Sequence, residues 1–138
     1  MNPTVTKIPI IRLWHLLLVP VQGELTDSHA EQLRYEVLSE IHAAGSEGLV
    51  LDVTGLWIMD SHLCAVLTRL AQAAALMGAR TVVCGMSAEV ALTIQSMGLE
   101  LRGVSTALTL EEALQGFGVR GPVIENPDED EAIDGAAP

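Results

Sequence analysis

Asp60 and Ser61 are the adjacent residues in this chain whose chemistry and position coincide. Leu49, Val50, Leu51 and Val53 form an apolar run with β-branched content, the pattern of a strand covered on both faces. From Leu63 the apolar residues recur at Val66, Leu67, Leu70, Ala74 and Met77, which is the spacing of one helix face. The period therefore changes between Thr54 and Ser61. A residue at such a change opens the helix, and Asp60 and Ser61 are both N-cap types whose side-chain oxygens accept orphan backbone N–H groups. The serine hydroxyl is thereby expected at the positive end of a helix dipole, on a surface connection. A phosphoryl group placed on it would meet N–H donors of the helix start and stand against the Asp60 carboxylate. Capping requires none of this, so position alone leaves both roles open for Ser61.

Other chemistry-bearing residues are poorly spaced. Asp52 and Asp60 are conceivable as paired carboxylates, yet a strand-end polar group and a helix cap account for them more simply. His62 and Cys64 lie two apart on a helix and so point to different faces, a poor metal pair, while His15, His29 and His42 are scattered. The chain has no Gly-rich phosphate cradle, no HExxH and no paired CxxC. No nucleophile, base and orienting acid follow from spacing. The expectation is a protein without catalytic residues, metal or cofactor. Trp57, Ile58 and Met59, three large apolar residues in the connection before Ser61, are either lids on the core or an exposed contact patch.

Composition narrows the class further. A length of 138 residues suits one domain, and 49% hydrophobic residues with 3% aromatic imply an aliphatic core. A net charge of −11 argues against nucleic acid and anionic membrane as partners. Residues 119–138 hold six acids and one arginine, net −5, which leaves −6 on residues 1–118. Cys64 and Cys84 read as two buried reduced thiols. No apolar run reaches the roughly 18 residues of a membrane helix, and the N-terminus lacks signal-peptide character. A cytoplasmic protein is expected.

The elements that must position Ser61 follow in order. Ile8–Trp14 and Leu16–Val21 read as two strands, with Pro9 and Pro20 expected at edges or strand ends because proline cannot donate to a ladder. Thr26, Asp27 and Ser28 are cap types for a helix presenting Ala30, Leu33, Val37, Ile41 and Ala44 and stopping at Gly45. The central strand and helix come next. Residues 80–85 form another strand, and Ser87 caps a helix with Val90, Ala91, Ile94 and Met97 inward. A brief strand is expected around Leu101–Val104. Thr109 and Glu112 make a capping box for a last helix that turns Leu110, Ala113, Leu114 and Phe117 inward. After Gly121 the acidic sequence ENPDEDEAIDGAAP is too polar to fold and is expected to be disordered. The sum is an α/β domain, a mixed sheet of about five strands with about four helices.

These residues carry a resemblance. The strand LVLDVTGL, the Asp60-Ser61 pair opening a helix, MGAR at 77–80 leading into a strand, and AL at 113–114 resemble the STAS domain, the fold of anti-sigma factor antagonists, over about residues 7–118. KIPIIRLWHLLLVPVQGELTD, IMDS and TALTLEEAL are similar to its stressosome scaffold type. Many antagonists follow the Asp-Ser pair with small residues, whereas His62 and Leu63 follow it here, which favours the scaffold type.

The resemblance implies a STAS domain over 1–118 with an acidic tail over 119–138. It implies that Ser61 is phosphorylated by a cognate serine/threonine kinase that is also a binding partner, with Trp57, Met59, Asp60, His62 and Leu63 bordering the contact. Thr26 is a weaker second phosphoacceptor, for which capping is the simpler role. Implied further are longer STAS-domain stressosome subunits as assembly partners, a phosphatase that resets Ser61, and a homo- or hetero-oligomer. Two alternatives stand beside this one: a free anti-sigma factor antagonist that binds an anti-sigma factor kinase, and a STAS module that binds a small molecule.

Overall fold

In the computed structural model, which describes residues 8–119, the expected elements occur in the expected order. They are β1 (Ile11–Leu13), β2 (Leu16–Gly23), α1 (Asp27–Ala44), β3 (Gly48–Leu56), α2 (Ser61–Leu76), β4 (Arg80–Cys84), α3 (Ala88–Ser96), β5 (Val104–Ala107) and α4 (Leu110–Gly116). The strands form one sheet in the order β1-β2-β3-β4-β5. Only the β1–β2 pair is antiparallel; the others are parallel, so a helix crosses between each successive pair.

Strand alternation places Leu49, Leu51 and Val53 of β3 in the larger core, with Val37 and Ile41 of α1, Leu67 and Leu70 of α2, and Val90 and Ile94 of α3. Val50 belongs to a second core on the other face, with Val82, Cys84 and Ala113, against which Leu110, Leu114 and Phe117 pack. This two-sided cover is why β3 reads as a continuous apolar run rather than an alternating one. Gly48 makes a seat for α4: a Cβ there would lie 2.5 Å from Phe117 Cε1 and 2.6 Å from Leu16 Cδ2. The Arg80 guanidinium sits 4.6 Å from the centre of the Phe117 ring and donates to the Gly116 carbonyl at 3.0 Å, capping α4 from outside.

Several sequence expectations are corrected. β1 is shorter than Ile8–Trp14, and its register explains why. Ile11 pairs with Leu18, so continuing the ladder sets Pro9 opposite Pro20, and neither can donate. Pro20 itself lies inside an interior strand, not at an edge or end. It is tolerated there because β1 has already stopped pairing, and the ladder with β3 shifts register between Pro20 and Gln22. β5 begins at Val104, where the expectation ended. Residues Leu99 and Leu101 pack on the larger core from the preceding turn, and Gly103, at φ 77°, redirects the chain into the edge strand.

Ala44, Met77, Ala91 and Met97 were expected on buried faces and are exposed. Ala44, Met77 and Met97 lie at helix ends, and α3 reaches the core only through Val90 and Ile94. The cap expectations fare better: Thr26, Ser87 and Thr109 each accept the N–H three residues on. Glu112 reaches back to the Leu108 N–H, one residue earlier than the usual box.

The β1–β2 turn holds Trp14 at φ 53°, and among the described residues it is the single non-glycine residue with positive φ. An L-residue there costs about 1–2 kcal/mol. Among the described residues no helix is long and apolar enough to cross a membrane. The tail expected over 119–138 lies, beyond Val119, outside the described residues.

Candidate functional site

Ser61 is reached through a short, well-tied connection. Midway along β3, Asp52 Oδ1 accepts from the Thr54 N–H at 3.0 Å and from the Thr54 hydroxyl at 2.5 Å. Gly85 closes on this pair from the end of β4. A Cβ on it would lie 2.0 Å from Thr54 Oγ1, and its φ is 77°, so both space and backbone require glycine. β3 then runs on to Leu56, further than the apolar run suggested, and leaves only residues 57–60 as the connection. The Trp57 N–H donates to the Gly23 carbonyl at 3.1 Å, which fastens the connection to the end of β2.

The three apolar residues of the connection divide. Trp57 is 75% exposed and Ile58 54%, while Met59 is 1% exposed and fills the core. Met59 is therefore a lid on the core, while Trp57 and Ile58 form an exposed apolar pair in the same connection. Asp60 follows with extended backbone and caps α2, its carboxylate accepting the Leu63 N–H at 2.8 Å while its carbonyl accepts the Cys64 N–H at 3.0 Å. Ser61 is consequently the first helical residue and not the cap, and it is exposed. Its neighbours line a groove of about 330 Å³ that runs along α2 past Ala65, Thr68 and Arg69 to Leu99 and Glu100.

A second helix start lies alongside. Thr26 caps α1 by accepting the His29 N–H at 3.2 Å, which is the capping role expected of it. Asp27 Oδ1 stands 3.7 Å from His62 Nε2, so the first turns of α1 and α2 meet through this pair. The positive ends of both helix dipoles point toward one surface region, which favours negative charge there. Asp27, Asp60 and Glu24 already supply some of it.

The expected contact set is thus split by burial. Trp57 and Asp60 are exposed and His62 is half-buried, all on the Ser61 surface. Met59 and Leu63 are buried to 1% and 4% exposure; they support that surface from below and offer it no side chain. The structure adds Asp27, which shares no sequence segment with Ser61 and whose approach to His62 depends on how α1 packs beside α2. Ile58 joins the exposed group, and nothing in its type distinguishes it from Met59.

Asp52 and Asp60 do not act as a pair, since each holds a different local partner. Among the described residues no cluster of three or more His, Cys, Asp or Glu is placed to hold a metal. Burial, and secondarily Asp60, raises the Cys64 thiol pKa; burial, and secondarily Asp52, pushes Cys84 up to about 11. Both thiols are free and buried, and neutral thiols of this kind are poor nucleophiles. What remains chemically available is an exposed hydroxyl at a helix start, flanked by acids and by an exposed apolar knob.

The STAS domain family model matches residues 2–113. The RsbT co-antagonist protein RsbRA of Bacillus subtilis (strain 168) is 25% identical over 108 residues, which are 78% of this chain; the chain spans 39% of that relative's length. Among solved structures, a serine-to-glutamate variant of Moorella thermoacetica RsbS superposes with TM-score 0.71 at 32% identity, covering 82% of this chain and 96% of its own. A chain from the molecular architecture of the stressosome, a signal integration and transduction hub, gives TM-score 0.64 at 30% identity, covering 81% of this chain and all of its own.

Proposed function

The chain belongs to the STAS domain family, and from that premise we propose that it is a non-enzymatic, cytoplasmic scaffold subunit of a stressosome-type assembly that holds a serine/threonine kinase and releases it when Ser61 is phosphorylated. The observation that carries this reading is the placement of Ser61: exposed, first in α2, beside a capping carboxylate, and next to Trp57 and Ile58. The likeness to RsbS and to a stressosome chain supports the assembly, and the likeness to a longer protein named an RsbT co-antagonist supports longer STAS-domain subunits as partners.

The physical basis is a contact that tolerates a hydroxyl and rejects a phosphate. With Ser61 unmodified, the kinase buries the Trp57–Ile58 knob and covers the start of α2, with Asp60 and His62 at the rim. Phosphoryl transfer from ATP forms a bond between Ser61 Oγ and phosphorus, expels ADP, and delivers the serine proton to a base of the kinase. Nearly two negative charges then stand beside Asp60 and near Asp27. A loss of about 3 kcal/mol through repulsion and desolvation weakens the contact more than a hundredfold. A phosphatase restores the starting state.

The test is release of the kinase that co-purifies with the native complex. Ser61→Ala should retain it in the presence of ATP, and Ser61→Asp should bind it weakly while unfolding at the wild-type temperature or above. Release from the alanine variant at the wild-type rate would move the switch to another residue. The native mass of the same complex separates a large assembly from a one-to-one pairing with a kinase.

A further inference from the structure

Beyond its first turn, α2 carries one charged side chain, Arg69, and it is exposed. The other four arginines among the described residues are engaged: Arg12 pairs with Glu40, Arg34 with Glu31 and Arg102 with Glu100, while Arg80 caps α4. Arg69 has no ion pair among these residues. The chain holds 18 acidic and 7 basic residues, yet the fold sets no described carboxylate beside this guanidinium.

Arg69 lies in the groove that begins at Ser61. Ser61, Ala65, Arg69 and Gln72 recur at helical spacing and make one stripe along α2, and Leu99 and Glu100 form the facing wall. Glu100 is turned to Arg102, at 3.5 Å, and so leaves the positive charge across the groove uncompensated. Ser61 and Arg69 are eight residues apart, about 12 Å along the helix axis. An extended peptide covers that distance in about four residues.

Taking Ser61 as the kinase's target, as proposed above, we infer that this groove seats an extended segment of the kinase whose carboxylate side chain pairs with Arg69. A guanidinium grips a carboxylate through two parallel N–H bonds, which fixes orientation as well as position. The acidic surface elsewhere repels such a segment, so the single unpaired arginine also sets its register. Ser61 and Arg69 share one continuous helix, and the anchor therefore governs where the serine hydroxyl enters the kinase. Arg69 is a positioning residue in this arrangement. At about 12 Å it lies beyond the screening length of about 8 Å in physiological salt, so a phosphate on Ser61 does not dislodge the anchor. The groove selects the kinase, and Ser61 remains the switch.

The kinase that co-purifies with the native complex supplies the assay, with the full chain as its partner. In titration calorimetry without ATP, affinity should fall about tenfold in Arg69→Ala and about a hundredfold in Arg69→Glu, with Arg69→Lys between wild type and alanine. The gap between wild type and alanine should narrow in high salt. Thr68→Met fills the groove without changing charge and should weaken binding as well. Arg69 is exposed, so its variants should unfold at the wild-type temperature. In phosphorylation kinetics Arg69→Ala should raise KM about tenfold and leave kcat within about twofold, because the contact is made equally in the ground and transition states. Equal affinity of Arg69→Glu and wild type overturns the proposal, as does a fall in kcat at unchanged KM. Variants that hold the kinase normally while the native assembly shrinks assign the groove to another STAS-domain subunit and also overturn it. Weakened binding by Arg69→Glu, with no phosphate ever found on Ser61, refutes the switch at Ser61 and upholds the groove.

Discussion

Replacing Asp60 with alanine removes the acceptor of the Leu63 N–H, a 2.8 Å bond made by a carboxylate at the positive end of a 16-residue helix. Loss of an N-cap costs about 1 kcal/mol. Loss of the negative charge at the helix start adds about 0.3–1 kcal/mol. The donor left behind is partly buried, so the sum should lie at the upper end, about 2 kcal/mol. For a domain of this size that is a fall of roughly 8 °C in the unfolding midpoint. Asp60→Asn keeps the acceptor and loses the charge, so it should fall by only about 2–4 °C, a gap from wild type that narrows in high salt.

Phosphorylation of Ser61 adds a diagnostic step. In Asp60→Ala the phosphate can take the N–H donors that the carboxylate has vacated, so the modified variant should recover stability, whereas the modified wild type gains little because Asp60 repels the phosphate. Thermal unfolding followed by circular dichroism, on unmodified and stoichiometrically phosphorylated protein, reads all of these. Alanine and asparagine variants that unfold together would mean that charge and not capping is the contribution of Asp60. An alanine variant within about 1 °C of wild type would refute the capping assignment itself.

Three further outcomes are expected. Gly85→Ala drives a Cβ into Thr54 Oγ1 at a φ of 77°, so the strained backbone and the broken bond to Asp52 together should cost about 3–4 kcal/mol in chemical denaturation. Adding Thr54→Ala to it should cost less than the sum of the single changes. Trp57→Ala should leave stability within about 0.5 kcal/mol, because the ring is exposed, yet weaken kinase binding by about 2 kcal/mol or more in titration calorimetry. Cys84 stays a neutral thiol in the fold up to about pH 11, whereas the unfolded chain ionises it near its ordinary value of 9.0. Its contribution is therefore intact below about pH 9 and lost as the pH rises through about 11, and Cys84→Ala should flatten the alkaline limb of the stability profile.

Local pattern carried much of the structure. The order of nine elements, the caps at Ser87 and Thr109, and the stop at Gly45 were legible because each depends on a residue and its near neighbours: a hydroxyl finds an N–H three positions on, and glycine adopts left-handed φ at low cost, whereas the caps at Thr26 and Asp60 were each narrowed only to adjacent candidates. The apolar run of β3 announced cover on both faces, although not which helix lies on which. The short β1 was also within reach, since hairpin register brings Pro9 opposite Pro20 once Trp14 and His15 are taken as the turn.

The site was legible only in part. The Asp60-Ser61 pair and its place at a helix start follow from the change of apolar period, but the choice of Asp60 as cap and Ser61 as first helical residue depends on the extended backbone of Asp60. Trp57, Ile58 and Met59 have the same apolar character in sequence, and only the fold sorts them, with Met59 in the core and Trp57 and Ile58 outside it. Asp27 meets His62, and Gly85 meets Thr54, through contacts between segments far apart in the chain. The sequence by itself determined the elements, where their helices are capped to within a residue or two, and the serine at the strand-to-helix change, because those depend on interactions within a few residues. Tertiary structure alone decided which of these side chains are exposed around Ser61, because exposure depends on how separate segments pack.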